Sequence, residues 1–121
     1  MRGVSAVLIL GFLAMTGCAS GPSLLKGTWG KTDDASGRAF DEQVRARFPV
    51  GSPEDDLLAE LKREHFKVEP VGADPRAPRN RWAHRERVLM PLVCGQDWGV
   101  FWQAEGGRIT QVSGSTYATC L

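Results

Sequence analysis

The stretch from Trp98 to Ser113 constrains the fold most. Trp98, Val100 and Trp102 alternate with Gly99, Phe101 and Gln103, the two-residue period of a strand with one buried face. Gly106-Gly107 follows directly. Two adjacent glycines suit the left-handed backbone of a tight hairpin, so Arg108–Ser113 reads as the returning strand. An antiparallel hairpin of this kind needs something apolar over its tryptophan face.

Two upstream segments supply it. Phe40, Val44 and Phe48 recur in steps of four between about Gly37 and Arg47, with Arg38, Asp41, Glu42 and Arg45 on the opposite side. Asp34 or Ser36 can cap this helix, and Pro49 ends it. The second helix opens at Ser52-Pro53, with Ser52 as N-cap and Pro53 in the first helical position. Glu54, Asp55 and Asp56 lie at the positive end of its dipole, and Lys62 and Arg63 at the negative end. Leu57, Leu58 and Leu61 form its apolar stripe, and it closes near Glu64 or His65.

Phe66, Val68 and Val71 start a strand that Pro70 places at an edge. Residues 72–81 form a loop with Pro75 and Pro78. Trp82–Cys94 reads as a strand bent at Pro91, and Gly95-Gln96-Asp97 as a turn. The expected fold is α+β: two N-terminal helices packed on a three- to four-stranded antiparallel sheet, a two-layer sandwich.

The first eighteen residues have a different character. Arg2 is followed by an apolar or small run from Gly3 to Met15, and no acidic residue precedes Asp33. A charged start and a short apolar run make an export signal. The run is shorter than the roughly 20 residues a bilayer-spanning helix needs. Leu13-Ala14-Met15-Thr16-Gly17-Cys18 resembles a bacterial lipobox, with Met15 where Leu, Val or Ile is usual. The resemblance implies a signal peptide over residues 1–17, cleavage between Gly17 and Cys18, a diacylglyceryl thioether on Cys18 and an acyl chain (palmitate) on its new amino group. Two or three chains anchor a protein stably where one does not. Ala19, in place of the Asp that retains such proteins in the inner membrane, implies the outer membrane; the expected orientation has the domain facing the periplasm, with the cell surface as the alternative. Residues 18–36, rich in Gly and Ser, read as the lipidated N-terminus and a flexible tether, and 37–121 as one α+β domain.

Cleavage removes Arg2 and leaves 14 basic and 14 acidic residues. A neutral chain argues against nucleic acid as a partner. With Cys18 assigned to lipid, Cys94 and Cys120 remain. In an oxidising compartment a disulfide between them is the favoured reading, with two free buried thiols as the other. The bond would close a 27-residue loop, which the chain-entropy model values at roughly 3–4 kcal/mol.

Phe48-Pro49-Val50-Gly51-Ser52-Pro53 leading to Leu57 and Leu61, with Trp98-Gly99-Val100-Phe101 and Gly107-Arg108-Ile109 later, resembles the SmpA/OmlA type of small outer-membrane lipoprotein found in barrel-assembly machinery. Inhibitor domains share its two-layer fold. The resemblance spans roughly residues 37–113. It departs where that family closes the helix with Leu-Gly-x-Pro and this chain reads Leu61-Lys62-Arg63-Glu64.

No catalytic constellation stands out. His65 and His84 are the only histidines; His65 suits a helix C-terminus and His84 an exposed position. Neither a phosphate loop nor a zinc-type HExxH motif occurs, so no enzyme activity, metal or cofactor is expected beyond the lipid on Cys18. Trp98 and Trp102 fit the core better than a sugar-stacking platform. Arg76, Arg79, Arg81, Arg85 and Arg87 crowd one segment against Glu86 alone. At odd positions of a strand, Arg79, Arg81, Arg85 and Arg87 would share a face, with Trp82 and Val88 turned to the core. They read either as a solvated face or as a contact for lipid phosphates, lipopolysaccharide or an acidic protein. The expectation is an envelope-anchored binding or structural lipoprotein acting on an envelope protein or the cell wall, or else an inhibitor-type module that binds a periplasmic or extracellular enzyme.

Overall fold

The computed structural model describes residues 23–28, 34–90 and 94–120. In chain order the elements are α1 (Asp34–Arg47), α2 (Glu54–Arg63), β1 (Lys67–Val68), β2 (Arg81–Met90), β3 (Cys94–Glu105) and β4 (Arg108–Cys120). The strands form one antiparallel meander in the order β1-β2-β3-β4. The α+β arrangement expected from the sequence is present, with four strands.

Helix α1 starts at Asp34, three residues before Gly37, and buries Phe40 and Val44 as their spacing requires, with Phe48, just past its end, buried beside them. It packs along β4. The Asp41 carboxylate accepts the Gly114 backbone N–H at 2.9 Å and holds Arg45 at 2.9 Å, which ties the helix to that edge strand. Helix α2 buries Leu57 and Leu61 and packs against β1.

Its N-terminus is built differently from the sequence expectation. The Ser52 hydroxyl donates to the Pro49 carbonyl at 2.6 Å, so it caps nothing, and Pro53 occupies the N-cap position. The first helical N–H, on Glu54, is instead satisfied by the Gly107 carbonyl of the β3–β4 turn at 2.9 Å. Residues just before the helix start pair with Ile109, Gly51 N to Ile109 O at 2.8 Å and Ile109 N to Ser52 O at 2.9 Å. A carbonyl from the hairpin thus replaces the side-chain cap.

The other end of α2 is a Schellman turn. Phe66 N reaches back to Leu61 O at 2.9 Å and His65 N to Lys62 O at 3.1 Å. His65, exposed, takes the left-handed conformation at φ 63°, a place that glycine usually fills. Leu61 and Phe66 bury together beneath the turn.

The sheet reaches further than its alternation suggested. Gly95-Gln96-Asp97 lies inside β3, paired to β2 on one side and β4 on the other. Gln96 is fully buried and donates to the Thr28 carbonyl at 2.7 Å, which is how a polar residue in a turn-like triplet is accommodated inside a strand. The last strand continues past Ser113 to Cys120. Gly106 and Gly107, both at positive φ, make the expected tight turn.

Residues 23–28 lie within the stretch expected to be a flexible tether, yet they are packed into the core. Leu24 and Leu25 join the buried cluster, and Thr28 is fully buried. Thr28 accepts the Trp98 indole N–H at 2.9 Å and donates to Leu25 O at 2.7 Å. The Glu64 carboxylate, itself buried, accepts Ser23 Oγ at 3.0 Å and the Leu24 N–H at 3.3 Å. The two leucines and the hydrogen bonds to Glu64, Gln96 and Trp98 together dock the segment.

Candidate functional site

The two faces of the sheet differ in burial. Ala83, Trp98, Val100, Trp102 and Val112 are buried with α1 and α2, so Trp98 and Trp102 belong to the core as their period indicated. The opposite face carries Trp82 and His84 from β2, Phe101 from β3 and Tyr117 from β4. All four are partly or largely accessible, with Tyr117 at 40%.

These residues form one connected row. Trp82 and Phe101 are direct cross-strand partners, with rings 6.0 Å apart and within 6° of parallel. Such aromatic pairs are worth about 0.5–1.5 kcal/mol beyond burial. His84 stacks on the other side of Trp82 at 4.8 Å. Its Nε2 lies 2.8 Å from Glu69 Oε1, so His84 is held rather than freely exposed. That hydrogen bond, and then Lys67, keep the Glu69 carboxyl below its usual value.

Gly99 sits beneath the row. A Cβ there would come within 2.7 Å of the Tyr117 hydroxyl and 2.9 Å of the Phe101 ring, so only glycine lets both rings lie flat on the strand. Burial raises the Tyr117 phenol above its ordinary pKa, an effect reinforced by Asp97 and opposed by the hydrogen bond with Ser115.

A shallow pocket of about 410 Å³ opens beside these rings, lined by Ala73, Asp74, Pro75, Asn80, Trp82, Phe101 and Tyr117. Its loop wall is a chain of turns: Ala73 N to Pro70 O, Ala77 N to Asp74 O and Asn80 N to Ala77 O. The Asn80 amide oxygen accepts from Gln103 at 2.5 Å, which fixes the loop to β3. The arrangement can stack a planar or apolar group and offer amide, hydroxyl and carboxylate groups at the rim. Among the described residues no group of three metal-binding side chains occurs, and no helix is long and apolar enough to cross a membrane.

The arginines are placed otherwise than the sequence suggested. Arg81 and Arg85 do share a face, but it is the helix-covered face, where Ala83 between them is fully buried; Trp82 points away from the core. The small Ala83 leaves room for α2, and the two guanidinium groups reach along it to its two ends. Arg81 pairs with both carboxylate oxygens of Glu54, which also accepts the Trp102 indole N–H at 2.9 Å. Arg85 donates to the Glu64 backbone carbonyl at 2.8 Å, a cation at a helix C-terminus. Arg79 and Arg87 are exposed. Val88's side chain lies outside the described residues.

Cys94 and Cys120 are register partners on β3 and β4. The Gly114 N–H points away from β3 to Asp41, so Val100↔Gly114 is a non-hydrogen-bonded pair. By alternation Cys94↔Cys120 is one too. Such pairs place their Cα atoms about 4.5 Å apart, within the span a disulfide can bridge. Cys18, the signal peptide and the lipobox lie outside the described residues.

No family model, no curated protein and no solved structure matches this chain.

The sequence reading missed the site because it assigned Trp82 to the core. In the run Arg81-Trp82-Ala83-His84-Arg85, the small Ala83 shares its face with Arg81 and Arg85, and Trp82 shares the other with His84. The pairing of Ala83 with Val100 is the register fact that sets the faces.

Proposed function

We propose that this chain is a lipid-anchored binding module of the cell envelope, held by acyl chains on Cys18 and taking its partner on the aromatic face of the sheet. One observation carries the second half. The helices cover one face only, and on the other Trp82, Phe101 and Tyr117 stay partly exposed, the last two over a glycine whose missing side chain makes room for them. Burying these rings unused would have been favourable, at roughly 1.5–3 kcal/mol for a large side chain. Aromatic side chains at accessible positions are enriched at binding surfaces.

The anchor half rests on the residues themselves: the short apolar run, Gly17 and Cys18. The order of helices before a meander fits the two-layer sandwich of the SmpA/OmlA-type lipoproteins. A disulfide between Cys94 and Cys120, supported by their register, would close the β3–β4 hairpin at its open end. Ala19 supports the outer membrane as the place of the anchor, and in this reading the domain faces the periplasm. The partner in this reading is an envelope protein or the cell wall, met without catalysis and without nucleic acid. Arg79, exposed in the loop before β2, does not line the pocket beside the rings. Arg81 and Arg85 serve α2 first, so the contact centres on the rings rather than on the arginines.

The test pairs two variants. Cys18→Ser should lose the acyl mass and release the protein from membranes. Trp82→Ser with Tyr117→Ser should keep the anchor and a cooperative thermal melt, lowered by the lost stacking on Phe101 and His84, while losing retention on purified envelope fractions. Full retention by the double variant would move the contact off this face.

A further inference from the structure

Strand β2 sorts its charges by side. Arg81 and Arg85 go to the helix-covered face, and Arg87 follows them by alternation. Trp82, His84 and Glu86 take the other face. Over residues 95–103 of β3 and 113–117 of β4 the only charged residue is Asp97. It stands four residues from Phe101, on the same side, and opposite Glu86 in the register. Asp74 joins them from the loop, as the only charged residue in the wall of the pocket beside the rings; Arg76 and Arg79 share that loop but do not line the pocket. On the β1 side Lys67 lies 3.4 Å from Glu69, so this lysine is already matched by a carboxylate. The aromatic face is therefore rimmed by acid, although the whole chain carries a formal net charge of +1.

Glu86 and Asp97 are direct cross-strand partners, and like charges in that position repel. A cation beside them relieves the repulsion. Asp97 also acts on the rings: burial first, and this carboxylate in the same direction, raise the Tyr117 pKa, so its field reaches the phenol. In the pocket wall the Asp74 carboxylate is held by the Arg76 backbone N–H, which donates to Oδ1 at 2.9 Å. The lining thus offers rings to an apolar stem and a carboxylate to a charged head. Arginine matches both. Its stem packs on apolar surface while its head stays polar. Its planar guanidinium stacks on aromatic rings and forks onto a carboxylate, which the compact, strongly hydrated ammonium of lysine does less well. A neutral sugar can stack on the same rings, but its hydroxyls need no net charge at the rim.

We infer that the aromatic face takes an arginine side chain of a protein partner, its stem on Trp82, Phe101 and Tyr117 and its guanidinium at the acidic rim. This rests on the aromatic face being the contact surface, and it selects a protein over the cell wall.

The experiment titrates the purified protein with a blocked glycine–arginine peptide and with its citrulline twin, which keeps the shape of the side chain and loses the charge. The Trp82 indole and Tyr117 ring signals report binding by NMR. The arginine peptide should move both saturably, and the citrulline peptide should bind several-fold more weakly. Asp74→Asn keeps the oxygen that accepts the Arg76 N–H, and Glu86→Gln changes an exposed position. Each should weaken the arginine peptide by roughly two- to five-fold, the factor an exposed ion pair carries, and leave the citrulline peptide unchanged. Equal binding of the two peptides, or no effect of either substitution, would overturn the arginine. Absence of saturable shifts from the arginine peptide would overturn it too, and saturable shifts from a soluble N-acetylglucosamine oligomer in its place would assign the face to the cell wall. In each of those cases, loss of envelope retention by Trp82→Ser with Tyr117→Ser upholds the face itself. Full retention by that variant removes the face as the contact and this inference with it.

Discussion

Glu54 is the first residue of α2 and accepts from both Arg81 and the Trp102 indole. Replacing it with alanine separates three effects of different size. Trp102 is 2% exposed, so its N–H would lose its acceptor where water does not reach, at about 1–3 kcal/mol. Arg81 is 32% exposed on its side chain and can rehydrate, so the lost ion pair adds no more than about 1 kcal/mol. The missing negative charge at the helix start adds a further 0.3–1 kcal/mol, roughly. Asp55→Ala and Asp56→Ala, at exposed positions in the same turn, carry only that last effect. The expected cost of Glu54→Ala is therefore about 2–4 kcal/mol, against well under about 1 for either aspartate. For a domain of this size each kcal/mol lowers Tm by roughly 4–8 °C. The assay is a set of thermal and denaturant melts, repeated in a Trp102→Phe background. There the indole donor is gone and Glu54→Ala should cost only about 1 kcal/mol. Equal penalties for Glu54→Ala and Asp55→Ala, or a penalty for Glu54→Ala that Trp102→Phe leaves unchanged, would refute the reasoning.

Three other outcomes follow from the same geometry. His65→Gly relieves a left-handed histidine in the Schellman turn and should stabilise the domain by up to about 1 kcal/mol in melts. Cys120→Ser should cost roughly 3–4 kcal/mol if the bond to Cys94 is made; thiol labelling of the unreduced, denatured protein should find neither cysteine, and labelling of both would dismiss the bond. Tyr117 is the only tyrosine, so phenolate absorbance reports it alone, and it should titrate above the ordinary value of 10.0 because burial favours the neutral phenol. The folded state then holds this proton more tightly than the unfolded state, so the contribution to stability is complete below about pH 10 and declines as pH rises through the folded value.

The helices and the hairpin were legible because their signals are local. Phe40, Val44 and Phe48 declare a face by spacing, and Gly106-Gly107 declares a turn by backbone freedom. What failed depended on contacts from afar. Ser52 could cap α2 by its position, but the Gly107 carbonyl arrives there through the fold and takes the Glu54 N–H. Gln96 looks like turn chemistry until Thr28 supplies its acceptor. Leu24 and Leu25 carry no period at all, and only Glu64 and the space beside Trp98 show why that segment docks. The faces of β2 hinge on pairing Ala83 with Val100, a register that one-dimensional alternation cannot set for a strand whose charged residues bury their stems on the core side.

The central claim is that the aromatic face is where this module meets its partner. A photo-crosslinking amino acid placed at Tyr117 in intact cells tests it most directly, with the exposed α1 position Ala46 as the comparison. Adducts of one discrete mass from Tyr117, lost on adding Trp82→Ser and absent from Ala46, are the expected result. Adducts from Ala46 alone, or equally from both positions, would contradict it.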